Sequence, residues 1–144
     1  VDVYGTVVGI INPKAPYKVV IEAHADEISW FVNYITDEGY IYVRRNGGSD
    51  HQIAPSMRVN IYTEKGILKG VFGWPAIHVR EAAKEETPTL KNIFIDIGAE
   101  SKKEVEARGV HVGCVITFED EFIELGKNYF VGRALDNRMG ERSG

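Results

Sequence analysis

The feature that most constrains this chain is its cadence of short β-branched and aromatic runs, each closed by a turn. Residues 28–36 and 40–45 flank Asp37-Glu38-Gly39, a hairpin signature with a glycine available for positive φ. Asn46-Gly47-Gly48 turns the chain again. Residues 57–63 alternate apolar and polar, and Lys65-Gly66 folds them back onto 67–72, which makes a second hairpin with one wet face. Further strands are expected at 77–79, 93–97, 112–118, 122–125 and 129–131. Strands this short and this evenly spaced suit a barrel or a sandwich.

Two stretches depart from that texture. Residues 3–11 are rich in β-branched residues and are expected as a strand, and 17–24 is a continuous apolar run, expected as a strand buried on both faces of a parallel or mixed sheet. One helix has clear punctuation. Ser101-Lys102-Lys103-Glu104 matches a capping box, and Gly109 stands where a left-handed C-terminal residue belongs. The charged segment 81–90, which contains Pro88, reads as an exposed loop. The expected fold is mostly β: a β-barrel domain at 28–129, inserted between a first piece of an α/β domain at 1–27 and a return segment at 130–144.

Composition narrows the function. The 144 residues suffice for one domain plus pieces of another, and 44% apolar residues permit a real core. The net charge of -4 and the scattered basic residues argue against nucleic-acid binding, which needs clustered Lys and Arg. No apolar run is long enough to span a bilayer, and no signal peptide opens the chain, so no membrane partner is expected. The single cysteine, Cys114, cannot form an internal disulfide, which suits a reducing, cytoplasmic setting. The chain lacks an initiator Met and reads as a piece of something longer.

The run 19–21 ends in Glu22, His24, Asp26 and Glu27. Ligand sites gather at the carboxyl ends of strands in open α/β sheets, and imidazole with a nearby carboxylate suits zinc or cobalt. A strand end that is simply polar explains His24 and Asp26 as well. Asp136, in Ala134-Leu135-Asp136-Asn137-Arg138, could cap a helix or offer two oxygens to a pair of metal ions. His51, His78 and His111 read as solvated or structural, and Cys114 as core. No Gly-x-Ser-x-Gly supports a serine hydrolase. Glycoside hydrolysis would need two carboxylates across a sugar cleft, and nothing pairs Glu22, Glu27 or Asp50.

Five ordered motifs carry more than any one of them. Ala-His-Ala-Asp-Glu-Ile at 23–28, Gly-Gly at 47–48, Ile-His-Val-Arg at 77–80, Ile-Asp-Ile-Gly-Ala-Glu-Ser at 95–101 and Gly-Arg-Ala-Leu-Asp-Asn-Arg at 132–138 follow one another. Together they resemble the glutamyl/deblocking aminopeptidases, dimetal peptidases that build large tetrahedral particles and of which some carry an endoglucanase label. The resemblance runs from about Val1 to Met139. It implies a metal-dependent aminopeptidase acting on peptide N-termini with two divalent ions, zinc or cobalt first, manganese also possible. His24 matches a metal ligand. Asp26 matches the catalytic aspartate that supports the site from two positions on, and Asp136 the aspartate that bridges the metals. The resemblance also implies a cis Asp136–Asn137 bond, and homo-oligomers (dodecamers in the family) assembled through the inserted barrel.

In that family the general-base glutamate and further ligands lie downstream of the Asp-Asn-Arg motif. Residues 140–144 do not look like the helix expected there and resemble an appended linker. The chain taken alone is therefore expected to be inactive. The competing expectation is a stand-alone β-barrel assembly module without catalysis.

Overall fold

The computed structural model describes residues 1–80 and 86–140. Six strands close into a barrel in the order β1-β2-β5-β4-β3-β6: β1 Ser29–Ile35, β2 Ile41–Asn46, β3 Arg58–Thr63, β4 Gly66–Gly73, β5 Phe94–Asp96 and β6 Val115–Phe118. Every pairing is antiparallel, and β6 closes the ring by bonding to both β1 and β3. Closure leaves no open edge, the usual liability of a short-stranded sheet.

The alternation read at 57–63 sets the register. In β3, Val59 and Ile61 point inward and are fully buried, while Arg58 and Tyr62 face out. Ile61 sits opposite Ile116 of β6, and Ile116 opposite Trp30 of β1. Phe72 of β4 sits opposite Ile95 of β5, and Ile95 opposite Ile41 of β2. These side chains fill the interior, as expected in a barrel too narrow for a channel. Trp30 lies edge-on to Phe72 at 5.3 Å and to Phe118 at 6.3 Å between ring centroids. Burying side chains of this size contributes roughly 1.5–3 kcal/mol each.

Both expected hairpins form, with Gly39 at φ 93° closing the first. Helix α1, Lys102–Ala107, starts at Ser101, whose hydroxyl accepts from the Glu104 N–H, and Gly109 follows its end at φ 94°. The Glu104 carboxylate accepts from the N–H of Glu100, one residue before the cap, and pairs with Arg108. Val105 of the helix is buried against the barrel core.

Three expected strands differ. Ile77–Val79 is a single 3-10 turn. It follows Pro75 and satisfies its amides locally, Val79 to Ala76 and Arg80 to Ile77, with no strand beside it among the described residues. Residues 3–11 and 17–24 form no strand, because a strand needs neighbours for its N–H and C=O groups and none lies alongside among the described residues. Their apolar residues are exposed instead: Ile11 90%, Tyr17 79%. Residues 123–125 and 129–131 are strands, β7 and β8, but they pair with each other outside the barrel. Residues 86–90 carry no helix or strand, while 81–85 of the expected loop and 141–144 of the expected linker lie outside the described residues. Among the described residues no helix is long and apolar enough to cross a membrane.

Candidate metal centre

The chain returns from β8 through Gly132 into Leu135–Arg138, one helical turn broken at Asp136 and Asn137. Ala134 enters it in the left-handed region at φ 62°. Ala134 rather than Asp136 stands at the start of this turn, and Asp136 lies inside it, so the helix-cap role is not what the fold uses. The Asp136–Asn137 peptide is cis, as the resemblance implies.

This turn lies against residues 22–27. Asn137 Nδ2 donates to the carbonyl of Glu22 at 3.2 Å, and Arg138 Nε to the carbonyl of Ala25 at 2.8 Å. Gly140 packs so closely that a Cβ there would come within 2.8 Å of the Ala23 Cβ. Arg133 Nε meets Glu27 Oε2 at 2.6 Å, off the line of an aligned hydrogen bond, so the contact is an ion pair.

The seam brings His24, Asp26 and Asp136 together. His24 Nδ1 lies 3.0 Å from Asp26 Oδ1, and its Nε2 lies 3.6 Å from Asp136 Oδ1. With the proton on Nδ1, the imidazole donates to Asp26 and turns the Nε2 lone pair toward Asp136. Two acceptors then face each other with no proton between them, an arrangement that suits a cation. Metal bonds of about 2.0–2.1 Å at a tetrahedral angle would put two donors about 3.3 Å apart. The observed spacing and the imidazole–carboxylate pair therefore fit as two donors to one divalent ion. They do not complete a site: among the described residues no group of three or more His, Cys, Asp and Glu could hold a metal.

A cavity of about 440 Å³ adjoins the seam. Ile28, Trp30, Ile53, Phe118 and Leu135 give it apolar walls, and Asp136 stands at its margin.

The other candidates lie apart from this site. His78 is in the 3-10 turn, and His111 Nδ1 faces the Val112 carbonyl at 2.9 Å. Cys114 is buried in the barrel core, one residue before β6. Glu27 is occupied by Arg133. Sequence reading did not pair Glu27, Arg133, Asn137 and Arg138; all four stand within the quoted motifs, and only the fold shows that they meet.

The description M42 glutamyl aminopeptidase matches residues 5–141. FrvX of Escherichia coli (strain K12) is 39% identical over 141 residues, covering 96% of this chain and 39% of FrvX. The lysyl aminopeptidase of Pyrococcus furiosus is 33% identical over 141 residues, covering 96% of this chain and 40% of the relative. The chain thus spans about two fifths of the curated relatives it matches. Among solved structures, the TET1 peptidase of Pyrococcus horikoshii superimposes with a TM-score of 0.74 at 38% identity, over 82% of this chain and 36% of that one. That peptidase is described as able to assemble into a tetrahedron or a large octahedral shell.

Proposed function

This chain belongs to the M42 glutamyl aminopeptidase family, and from that premise we propose that it carries one side of the metal centre of a peptide-cleaving aminopeptidase. The observation that supports this most is the pairing of His24 Nε2 with Asp136 Oδ1 at 3.6 Å, with Asp26 behind the imidazole. His24 and Asp136 are the proposed metal ligands, and Asp26 is the residue that fixes the imidazole tautomer. Two divalent ions, zinc or cobalt, would polarise the scissile carbonyl and acidify water at the site.

The chain's own residues have narrower tasks. Asp26 holds the Nδ1 proton, which keeps Nε2 available as a donor atom. Asp136 extends a carboxylate that is 98% exposed, so both its oxygens are accessible to ions. Asn137 and Arg138 hold the carbonyls around His24 in place. A catalytic zinc site takes about three protein ligands plus water, and hydrolysis needs a carboxylate base to take the water's proton. The resemblance assigns that base downstream of Asp136.

The same reading divides the chain into residues 1–27 and 130–144 as parts of the catalytic domain, and 28–129 as the inserted barrel. The exposed apolar side chains of 3–21 and 122–131 suit segments that a further layer covers. Assembly into homo-oligomers through the barrel, and a cytoplasmic setting, belong to this proposal.

A second reading is favoured by the completeness of the barrel, which closes on its own strands. In this reading the chain acts as an assembly module alone. Calorimetric titration with zinc separates the two, with His24→Ala as control and sedimentation as the measure of assembly. Saturable binding lost in His24→Ala supports the metal centre. A folded chain that binds no zinc and still oligomerises supports the module.

A further inference from the structure

The seam that sets the His24–Asp136 spacing has a centre that neither donor occupies. The Glu27 side chain is only 18% exposed, against 51% for His24 and 98% for Asp136. One of its oxygens meets Arg133 Nε at 2.6 Å, and the other faces an Arg138 terminal nitrogen at 3.9 Å. Each arginine carries the connection elsewhere. Arg133 donates to the carbonyl of Phe118, the last residue of β6, at 2.6 Å. Arg138 donates to the carbonyl of Ala25, the residue between His24 and Asp26, at 2.8 Å. A single carboxylate thus ties the end of the barrel, the turn that bears Asp136 and the loop that bears His24.

Charge explains why this hub matters. A largely covered carboxylate left without cationic partners is costly, and Arg133 at 2.6 Å and Arg138 at 3.9 Å are the cations beside it. Without the negative charge, Arg133 and Arg138, both within 4 Å of Glu27, are left as like charges beside one another. Both then gain by turning to water, and Arg138 releases the peptide beside His24. The donors themselves are exposed and lack packing that would hold them.

We propose that Glu27 is the positioning residue of the donor pair. It is not one of the two proposed donors and acts through Arg133 and Arg138. By drawing Arg133 and Arg138 onto one carboxylate, it fixes His24 Nε2 against Asp136 Oδ1 at a spacing that one divalent ion spans. Its consequence for metal binding rests on the metal-centre reading above, while its effect on the spacing does not.

The test uses this chain, zinc as the probe, and the variants Glu27→Gln and Glu27→Asp. Three quantities are read: zinc affinity by calorimetry, the nuclear Overhauser contact between the His24 ring and Asp136 in the metal-free chain, and the melting midpoint of the barrel. Glu27→Gln is expected to lose the ring contact and to bind zinc about 10- to 100-fold more weakly, the range for residues that orient a ligand. Its midpoint should match the parent's. Glu27→Asp keeps the charge and should recover most of both losses. A Glu27→Gln chain that keeps the ring contact overturns the proposal. So does one whose midpoint falls with the contact, because Glu27 would then be a general staple. If the parent chain binds no zinc while Glu27→Gln still loses the contact with an unchanged midpoint, the positioning role stands and the metal-centre reading fails.

Discussion

Ile61 in β3 and Ile21 before the His24 loop are the same side chain in two settings: the first is fully buried and the second is 65% exposed. The contrast extends to whole regions. Among the described residues, every buried apolar side chain lies between Trp30 and Ile116, while Val3, Ile11, Tyr17 and Phe130 of the flanks are all exposed. The flanks are not poorer in apolar residues; among the described residues they have few neighbours that cover them, the stacked Phe122 and Phe130 being one such contact. In the barrel, closure gives each strand a partner on both sides, so alternation becomes burial. In the flanks, contact is made by polar groups, chiefly Asn137 and Arg138 on backbone carbonyls and Glu27 with Arg133. The barrel is thus held by buried area and the candidate metal centre by a few directed contacts. A region of the second kind can be rearranged by one substitution without unfolding the first.

That comparison can be broken most directly by truncating one side chain on each side of it. Trp30→Ala should destabilise the chain by about 3–5 kcal/mol, the range for deleting a large aromatic from a packed core. Val19→Ala should change stability by no more than about 0.5 kcal/mol, as for an exposed site. Chemical denaturation followed by tryptophan fluorescence and circular dichroism measures both. Similar losses would mean that the flanks pack as the barrel does.

A smaller effect tests whether local capping supports the barrel. Ser101→Ala removes the acceptor for the Glu104 N–H and should lower stability by about 1 kcal/mol. An unchanged denaturation midpoint would mean that Val105 alone holds α1 to the core.

The smallest effect concerns pH. The Glu100 N–H and then the Arg108 guanidinium hold the Glu104 carboxyl below the ordinary glutamate range. A lowered folded value means that the contribution is present above the unfolded value and fades as pH falls through the folded one. Carboxyl-carbon chemical shifts should therefore place the Glu104 midpoint below that of the same residue in an unstructured peptide, and denaturation should remove the difference.

Local chemistry made the two hairpins and the capped helix legible. Gly39 and Gly109 take the positive φ that their positions suggested, and Ser101 caps as its spacing from Glu104 implied. Apolar runs alone misled at 3–11, 17–24 and Ile77–Val79, since a run reports the wish to be covered and not the presence of a cover. At the candidate centre, His24 and Asp26 are near neighbours whose contact could be guessed. Asp136 stood open between a cap and a metal ligand until the resemblance chose the second, and the roles of Glu27, Arg133 and Arg138 could not be read from spacing.

What the sequence determined by itself was therefore local: alternation in β3 and β4, turn residues at Gly39 and Gly66, the helix start at Ser101, and donor types at 24, 26 and 136. Only the tertiary structure decided the strand order that closes the barrel and the meeting of segments 113 residues apart at Arg138 and Ala25. The physical reason is one of range. Turn conformation and alternation depend on atoms a few residues away, whereas burial and the spacing of two donors depend on which distant surfaces come to lie together.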